Sequence, residues 1–472
     1  MADKRRVART SGRLIAGIIG VALAGVSVLA VGTLDLPRVT AAVPSAVITP
    51  TAADQSRVCT GPLLQLAGDG TSNAVAIGAA ELTTGSQAEP AQTPLSAPNN
   101  QAGDAFGSPL VVSEASETDA VTAPLLAASQ SQSAGVENLS GFAAAACSEA
   151  NAAAWLVGGS TDVGRTSVLS LTNPTRSDAI VDLSIWGEAG VIDAPGSQGI
   201  IVKAGEQKLL SLAALAPNLI TPVVHVASRG GQVSAVLQHS VVRGLTPHGV
   251  DFVAPTAPPA NEQTLSGVVI SATSPVVSDE DYDDNSAALR LIAPGTETAR
   301  VSVRFTSEDG AASPAPLEYD LQAGVGTELS LRTLPAGSYT VEISSDQPVV
   351  AGARTSTIVG DASDFAWFQA STALPDTVMI AVPAGDSPVL HLANPGTRAL
   401  TVDLEASVGE NLTAEVPAGS SVAVPVAAGV SYEVSGVEGA IGSLSITTAT
   451  GISAFAVQPA NPSATPVTVY PR

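Results

Sequence analysis

The chain has 472 residues, with 20 Lys and Arg against 43 Asp and Glu, for a net charge of −23. So acidic a chain repels phosphate backbones, which excludes sequence-nonspecific nucleic-acid binding. Two cysteines exclude a disulfide-built scaffold, an iron–sulfur site and a zinc ribbon.

The first element predicted is a membrane segment. Lys4, Arg5, Arg6, Arg9 and Arg13 form a basic stretch, residues 1–13, ahead of an uncharged run from Leu14 to Leu34. Those residues, 14–34, span ~30 Å as a helix, the thickness of a bilayer core. The preceding positive charge keeps the N-terminus in the cytoplasm and places the chain beyond Leu34 outside. This reads as a single-pass transmembrane signal-anchor, with the bulk of the chain extracellular. A secreted form remains open, because Thr40-Ala41-Ala42 offers a small-residue cleavage site. Residues 35–58 read as a linker. The first 40 residues hold six basic and two acidic groups, so the rest of the chain carries a net charge of −27.

Cys59 and Cys147 lie next along the chain, on the oxidising side of that topology, where a disulfide is expected. Closing the loop between them removes on the order of 4 kcal/mol of unfolded-chain entropy. The stretch they bracket, 59–150, shows only weak periodicity from Thr83 to Gln132 and reads as a partly disordered N-terminal segment pinned at its ends.

From about Asn151 short runs of alternating apolar and polar residues recur between Gly, Pro, Asn and Asp, the signal of half-buried strands. Only Leu209–Leu215 is suited to a short helical turn. An internal repeat is visible. SVLSLTNPTRSDAIVDLSIWGEAG from Ser167 matches AALRLIAPGTETARVSVRFTSEDG from Ala287 and PVLHLANPGTRALTVDLEASVGE from Pro388. The turn prolines Pro174, Pro294 and Pro395 are spaced by 120 and 101 residues. Ala-Gly turns recur at Gly205, Gly324 and Gly419, and two copies share an Asp-Phe pair, Asp251-Phe252 and Asp364-Phe365.

The fold class is therefore all-β: an N-terminal transmembrane helix followed by tandem antiparallel immunoglobulin-like β-sandwich repeats at 151–262, 263–375 and 376–472. About seven strands are expected in each. A propeller is set aside, since its blades repeat every ~40–45 residues.

Candidate chemistry is sparse. His225, His239 and His248 lie near one another in sequence, but no spacing of metal-site form accompanies them, and His391 sits on a strand of the third repeat. No metal or cofactor is expected. The acidic run 279–285 places Asp281, Asp283 and Asn285 at alternate positions like the start of a calcium loop, but the glycine and distal Glu are missing. It reads as a solvated loop, with weak calcium binding left open. Nucleophile motifs are absent, and Glu308-Asp309 is explained by an EDG turn. Trp186 and Trp367 alternate with apolar residues and are expected in the core, leaving Trp155 as the candidate exposed aromatic; an exposed patch around Trp155 or Trp367 would mark a carbohydrate-binding or adhesive module.

The VCTGPLLQLAGD stretch from Val58, the second Cys before AAAWLVGGS, the SVLSLTNP strand and VLQHSVVRGLTPHGVDF together resemble an actinobacterial exported family catalogued only as a domain of unknown function. The resemblance covers roughly residues 58–260. It implies an exterior location with an anchor or signal and, since the family's genes tend to lie near glycosyltransferase genes, a cell-envelope role. It carries over no catalytic residues. The leading expectation is thus a non-enzymatic, membrane-anchored scaffold for envelope polysaccharide assembly, its sandwiches forming a stiff spacer. Its partners would be the membrane and envelope proteins or cell-wall glycan. A carbohydrate-binding surface module is the alternative, and an envelope hydrolase the remote third.

Overall fold

The computed structural model describes residues 53–66, 73–117, 123–273, 285–311 and 314–459, with isolated residues and short strands outside them. Two units divide the chain, 1–50 with 466–472 and 51–465. In the first, Gly17, Ile19, Ala22, Leu23 and Val26 are helical. Strand β1 (Ala46–Ile48) pairs antiparallel with Val467–Val469. Most of the membrane segment expected at 14–34 lies outside the described residues, as do positions 279–284 of the acidic run. Among the described residues no helix is long and apolar enough to cross a membrane.

The second unit is nearly all β, with antiparallel sheets. Its N-terminal part contains β2 (Gln55–Cys59), β3 (Leu64–Leu66), β4 (Ala74–Ala76), β5 (Glu81–Ser86), β6 (Ala91–Pro94), β7 (Leu110–Glu114), β8 (Leu126–Val136) and β9 (Leu139–Ala146). They form a β2–β7–β6 sheet, a β3–β4 hairpin and a β5–β8–β9 sheet. The looseness expected between Thr83 and Gln132 is therefore corrected: four of these strands lie within or across that stretch. Their alternation is weak because Ser, Ala and Gln build them. Gln130 accepts from the Gly61 amide at 3.0 Å and donates back to its carbonyl at 2.6 Å. Gln132 accepts from the Leu63 amide at 2.8 Å. Buried polar side chains are thus satisfied by backbone in place of apolar packing. Cys59 and Cys147 form the expected disulfide, with Cα atoms 4.3 Å apart, beside Val112, Leu126 and Ala128.

Three pairs of facing sheets make up the remainder of this unit. The first contains β10 (Ala153–Val157), β11 (Arg165–Asn173), β12 (Ala179–Gly187), β13 (Gly190–Ile192), β14 (Ile200–Val202), β15 (Glu206–Ser211), β16 (Val223–Gly230), β17 (Ser234–Arg243) and β18 (Thr246–Val253). The second has β19 (Ala260–Ile270), β20 (Ala288–Ile292), β21 (Ala299–Ser307), β22 (Leu317–Leu321), β23 (Thr327–Ser330), β24 (Gly337–Val359) and β25 (Ala362–Gln369). The third has β26 (Thr377–Ala381), β27 (Ser387–Asn394), β28 (Leu400–Ala406), β29 (Leu412–Val416), β30 (Ser420–Pro425), β31 (Ser431–Ser435), β32 (Ile441–Thr447) and β33 (Ile452–Ala456). The helical turn expected at 209–215 is confined to Leu212–Leu215.

One strand order governs all three pairs. The first sheets read β10–β16–β12 with both β13 and β14 beyond β12, β19–β24–β21–β22 and β26–β31–β28–β29. The second sheets read β15–β11–β17–β18, β23–β20–β24–β25 and β30–β27–β32–β33. Strand β24 is long enough to serve in both sheets of its pair. Eight strand positions result where about seven were expected, because the short edge strands carry little alternation.

Alternation builds each core. In β12 and β21 every second residue turns inward, Ala179, Val181, Leu183 and Ile185 in one, Ala299, Val301, Val303 and Phe305 in the other. Each large inward side chain contributes ~1.5–3 kcal/mol relative to exposure. The repeat landmarks also have local causes. Asn173 donates to the Ser177 and Val202 carbonyls and accepts from the Thr175 amide. Asn394 does the same with Arg398, Val416 and Gly396. Gly205, Gly324 and Gly419 have φ of 71°, 69° and 62°, a region where any other residue is strained.

The last strands of the three pairs and β9 close on one another: β9 packs on β18 and β33, and β25 packs on the same two. The tandem pairs thus close around these four strands. The cause is the second face of the inner sheets, which is buried against neighbours rather than solvated, as in β17 and β20.

Candidate functional site

At the centre of the closed arrangement lies a buried polar hub. Asp251 on β18 and Ser453 on β33 occupy one position of the repeat, while Asp364 on β25 sits two residues earlier, at the position held by Gly249 and Gly451 in the other copies, with Gly141 of β9 against it. Asp251 accepts from the Trp367 amide at 2.7 Å and from the Ser453 hydroxyl at 2.6 Å. Asp364 accepts from the amides of Phe142, Val250 and Ile452 at 2.9, 3.2 and 3.2 Å. Both carboxyls are fully buried, which raises their pKa values well above the usual carboxylate range. These aspartates receive the amides of adjacent edge strands that share no ladder. They are structural and closed off from solvent.

The remaining sequence candidates scatter. Trp367 is fully buried, as expected, with the Arg290 and Arg354 guanidinium groups 4.9 and 5.6 Å from its ring centre. His239 accepts from the Trp367 indole N–H at 3.2 Å. His248 lies on β18. His391 is buried between Glu308, 2.7 Å away, and Ser445. Glu308 is therefore more than a turn residue: it reaches from the second pair of sheets into the third, while Asp309 keeps the expected turn role by accepting from Ser307 and Ala311. Among the described residues no group of three His, Cys, Asp or Glu side chains is arranged to hold a metal ion.

Trp186 corrects its expected place. It is half-buried on the outer face of β12, stacked on Trp155 with ring centres 5.3 Å apart and planes 23° from parallel. Trp155 stacks in turn on His225, its partner across the β10–β16 ladder, at 4.4 Å. Strand parity carries the missing signal, since Ile180, Asp182 and Ser184 share the outward face with Trp186. The rings back onto Val157, Val223, Ile292 and Val350, which join the first pair of sheets to the second. Their free side lines a cleft of about 450 Å³ that is completed by the Pro294-Gly295 turn, Glu297, Gln347 and Pro348. Burial lowers the pKa of His225, so the imidazole is neutral at pH 7.

The next junction repeats this plan with other side chains. Its cleft, about 600 Å³, is bordered by Pro395 in the place of Pro294. Thr264 and Glu342 pair there as Trp155 and His225 do in the first. Arg304 lies 3.3 Å from Glu342, and the Ser344 hydroxyl donates to Glu262 at 3.0 Å. Arg304 answers one of its two carboxylates, a hydroxyl meets the other, and no aromatic ring lines it. The aromatic cleft is the stronger candidate, because half-exposed stacked indoles beside a few polar groups are what a ligand pocket requires.

No curated protein matches the chain. The crystal structure of Thermotoga maritima 1070 is similar to part of it, at 20% identity over 24% of this chain and 92% of that one, with a TM-score of 0.20. A family model matches residues 100–427, which bears out the family resemblance drawn from the sequence. With its strands, landmarks and hub falling within or beside that span, the chain belongs to the family of unknown function DUF5719.

Proposed function

We propose that the protein is a non-enzymatic, extracytoplasmic cell-envelope protein, held at the membrane by residues 14–34, that binds glycan in the aromatic cleft. The three pairs of sheets correspond in this reading to tandem immunoglobulin-like repeats, 151–262, 263–375 and 376–472. The observation that carries it is the stack of Trp155, Trp186 and His225 lining an open cleft. The C–H faces of a sugar ring pack on indole faces, while Gln347 and Glu297 offer partners to hydroxyl groups. The same observation shifts the weight from the passive scaffold to the binding module, since a spacer has no need of half-exposed Trp residues.

The test is retention of envelope polysaccharide by the immobilised full-length protein, compared with Trp155→Ala and Trp186→Ala. Wild type should retain glycan, and each variant should lose at least about tenfold of it, the loss of a contact worth ~1.4 kcal/mol, with thermal melting showing that the variant is folded. Equal retention by wild type and both folded variants would overturn the reading.

A further inference from the structure

The aromatic cleft is charged on one side only. Glu297 stands exposed at its rim, no Lys or Arg lines it, and burial disfavours the charged form of His225. In the next junction a carboxylate, Glu342, stands in the place of His225 and is already answered by Arg304. Two indoles beside an unanswered carboxylate form an environment for a cation, because the ring faces carry negative potential and Trp offers the strongest face. A neutral sugar uses that carboxylate only as a hydrogen-bond acceptor and leaves its charge unanswered. An anionic sugar is opposed by it and by the net charge of −23.

We propose that the cleft takes an amino-bearing glycan, with a protonated sugar amine placed between the Trp155–Trp186 stack and the Glu297 carboxylate. This deepens, and rests on, the reading of the cleft as a glycan site. The sugar ring lies against indole, and its ammonium group donates to Glu297. The acidic surface raises the local concentration of such a ligand and excludes uronic or phosphorylated polymers.

The test uses intrinsic fluorescence, which two of the three tryptophans report from the cleft while Trp367 stays buried. Full-length protein is titrated with the β-1,4-linked trimer of glucosamine and with its fully N-acetylated counterpart. The solution is held at about pH 6, where an amine is protonated, and at about 0.15 M salt, which screens diffuse attraction beyond ~8 Å. The amino trimer should bind about tenfold more tightly. Glu297→Gln, a surface change far from the core, should bring the two trimers within about twofold, with the loss of affinity falling chiefly on the amino trimer. Equal binding of both trimers by wild type, or a preference that survives Glu297→Gln, overturns the amine assignment and leaves the glycan reading intact. Saturable binding of neither trimer also overturns it. Polysaccharide retention by wild type against Trp155→Ala then decides separately whether the cleft is a glycan site at all.

Discussion

The hydroxyl of Ser453 donates to the Asp251 carboxylate across 2.6 Å, although the two residues lie 202 positions apart. They occupy the same place on the last strands of the third and first pairs of sheets. The repeat therefore supplies both partners of a bond between its own copies.

This hub predicts an asymmetry between two superficially similar substitutions. Asn in place of Asp251 can still accept from the Trp367 amide and can donate to Ser453, whose hydroxyl then turns to the Ala144 carbonyl, 3.2 Å away. Asn in place of Asp364 cannot serve its neighbours, because both oxygens of Asp364 accept from amides. Asp364→Asn should lose ~1–3 kcal/mol more stability than Asp251→Asn, the penalty of one buried amide without an acceptor. Urea denaturation of the two variants measures the difference.

The same carboxyls set a pH dependence. Burial holds their pKa values well above those of the unfolded chain, so the folded state binds more protons between the two values. Stability should then be highest near the ordinary carboxylate range, ~4, and decline as pH rises toward the raised value. Melting temperatures across that interval test the sign, and Asp251→Asn should flatten the decline.

Arg290 is fully buried and donates to the carbonyls of Gly159, Pro222 and Ile220 as well as to Glu328. It is the key by which the second pair of sheets engages the first. Arg290→Ala should cost about 3–5 kcal/mol, since it strands three carbonyls and takes from Glu328 its nearer cation, leaving only Arg354 at 3.8 Å. Arg290→Lys should recover only part of that, because an ammonium cannot reproduce the guanidinium fork. Chemical denaturation of both variants checks the order.

Reduction of the Cys59–Cys147 bridge should lower stability by about 4 kcal/mol, the entropy of the loop it closes. Melting with and without reductant, beside the Cys59→Ala/Cys147→Ala double variant, should give matching losses. A reductant effect in the double variant would show another cause.

Strands and repeat landmarks were legible because alternation and turn chemistry are local. Pro174, Pro294 and Pro395 with the Ala-Gly turns located all three copies, and the geometry of Asn173 and Gly205 explains why. The Asp-Phe pairs were visible as words without a meaning, since only packing shows that Asp251 and Asp364 receive amides from other copies. The N-terminal strands were missed for a related reason. Where Gln130 and Gln132 bracket the backbone of Gly61 and Leu63, hydrogen bonds replace the apolar pattern by which a strand is recognised. Trp186 escapes its expected place because its hydrophobicity points inward while its parity, three residues beyond the buried Leu183, points outward.

The contact of β9 with β33 has a consequence for how the chain is made. Ala144 and Ser453 are hydrogen-bonded across 309 residues, so a nascent chain holds β9 with one flank uncovered until synthesis has run that far beyond it. Pairings of such sequence separation fold slowly and leave strand edges open to wrong partners in the meantime. A truncation just before Ile452 would take away β33 and leave β9 without that neighbour.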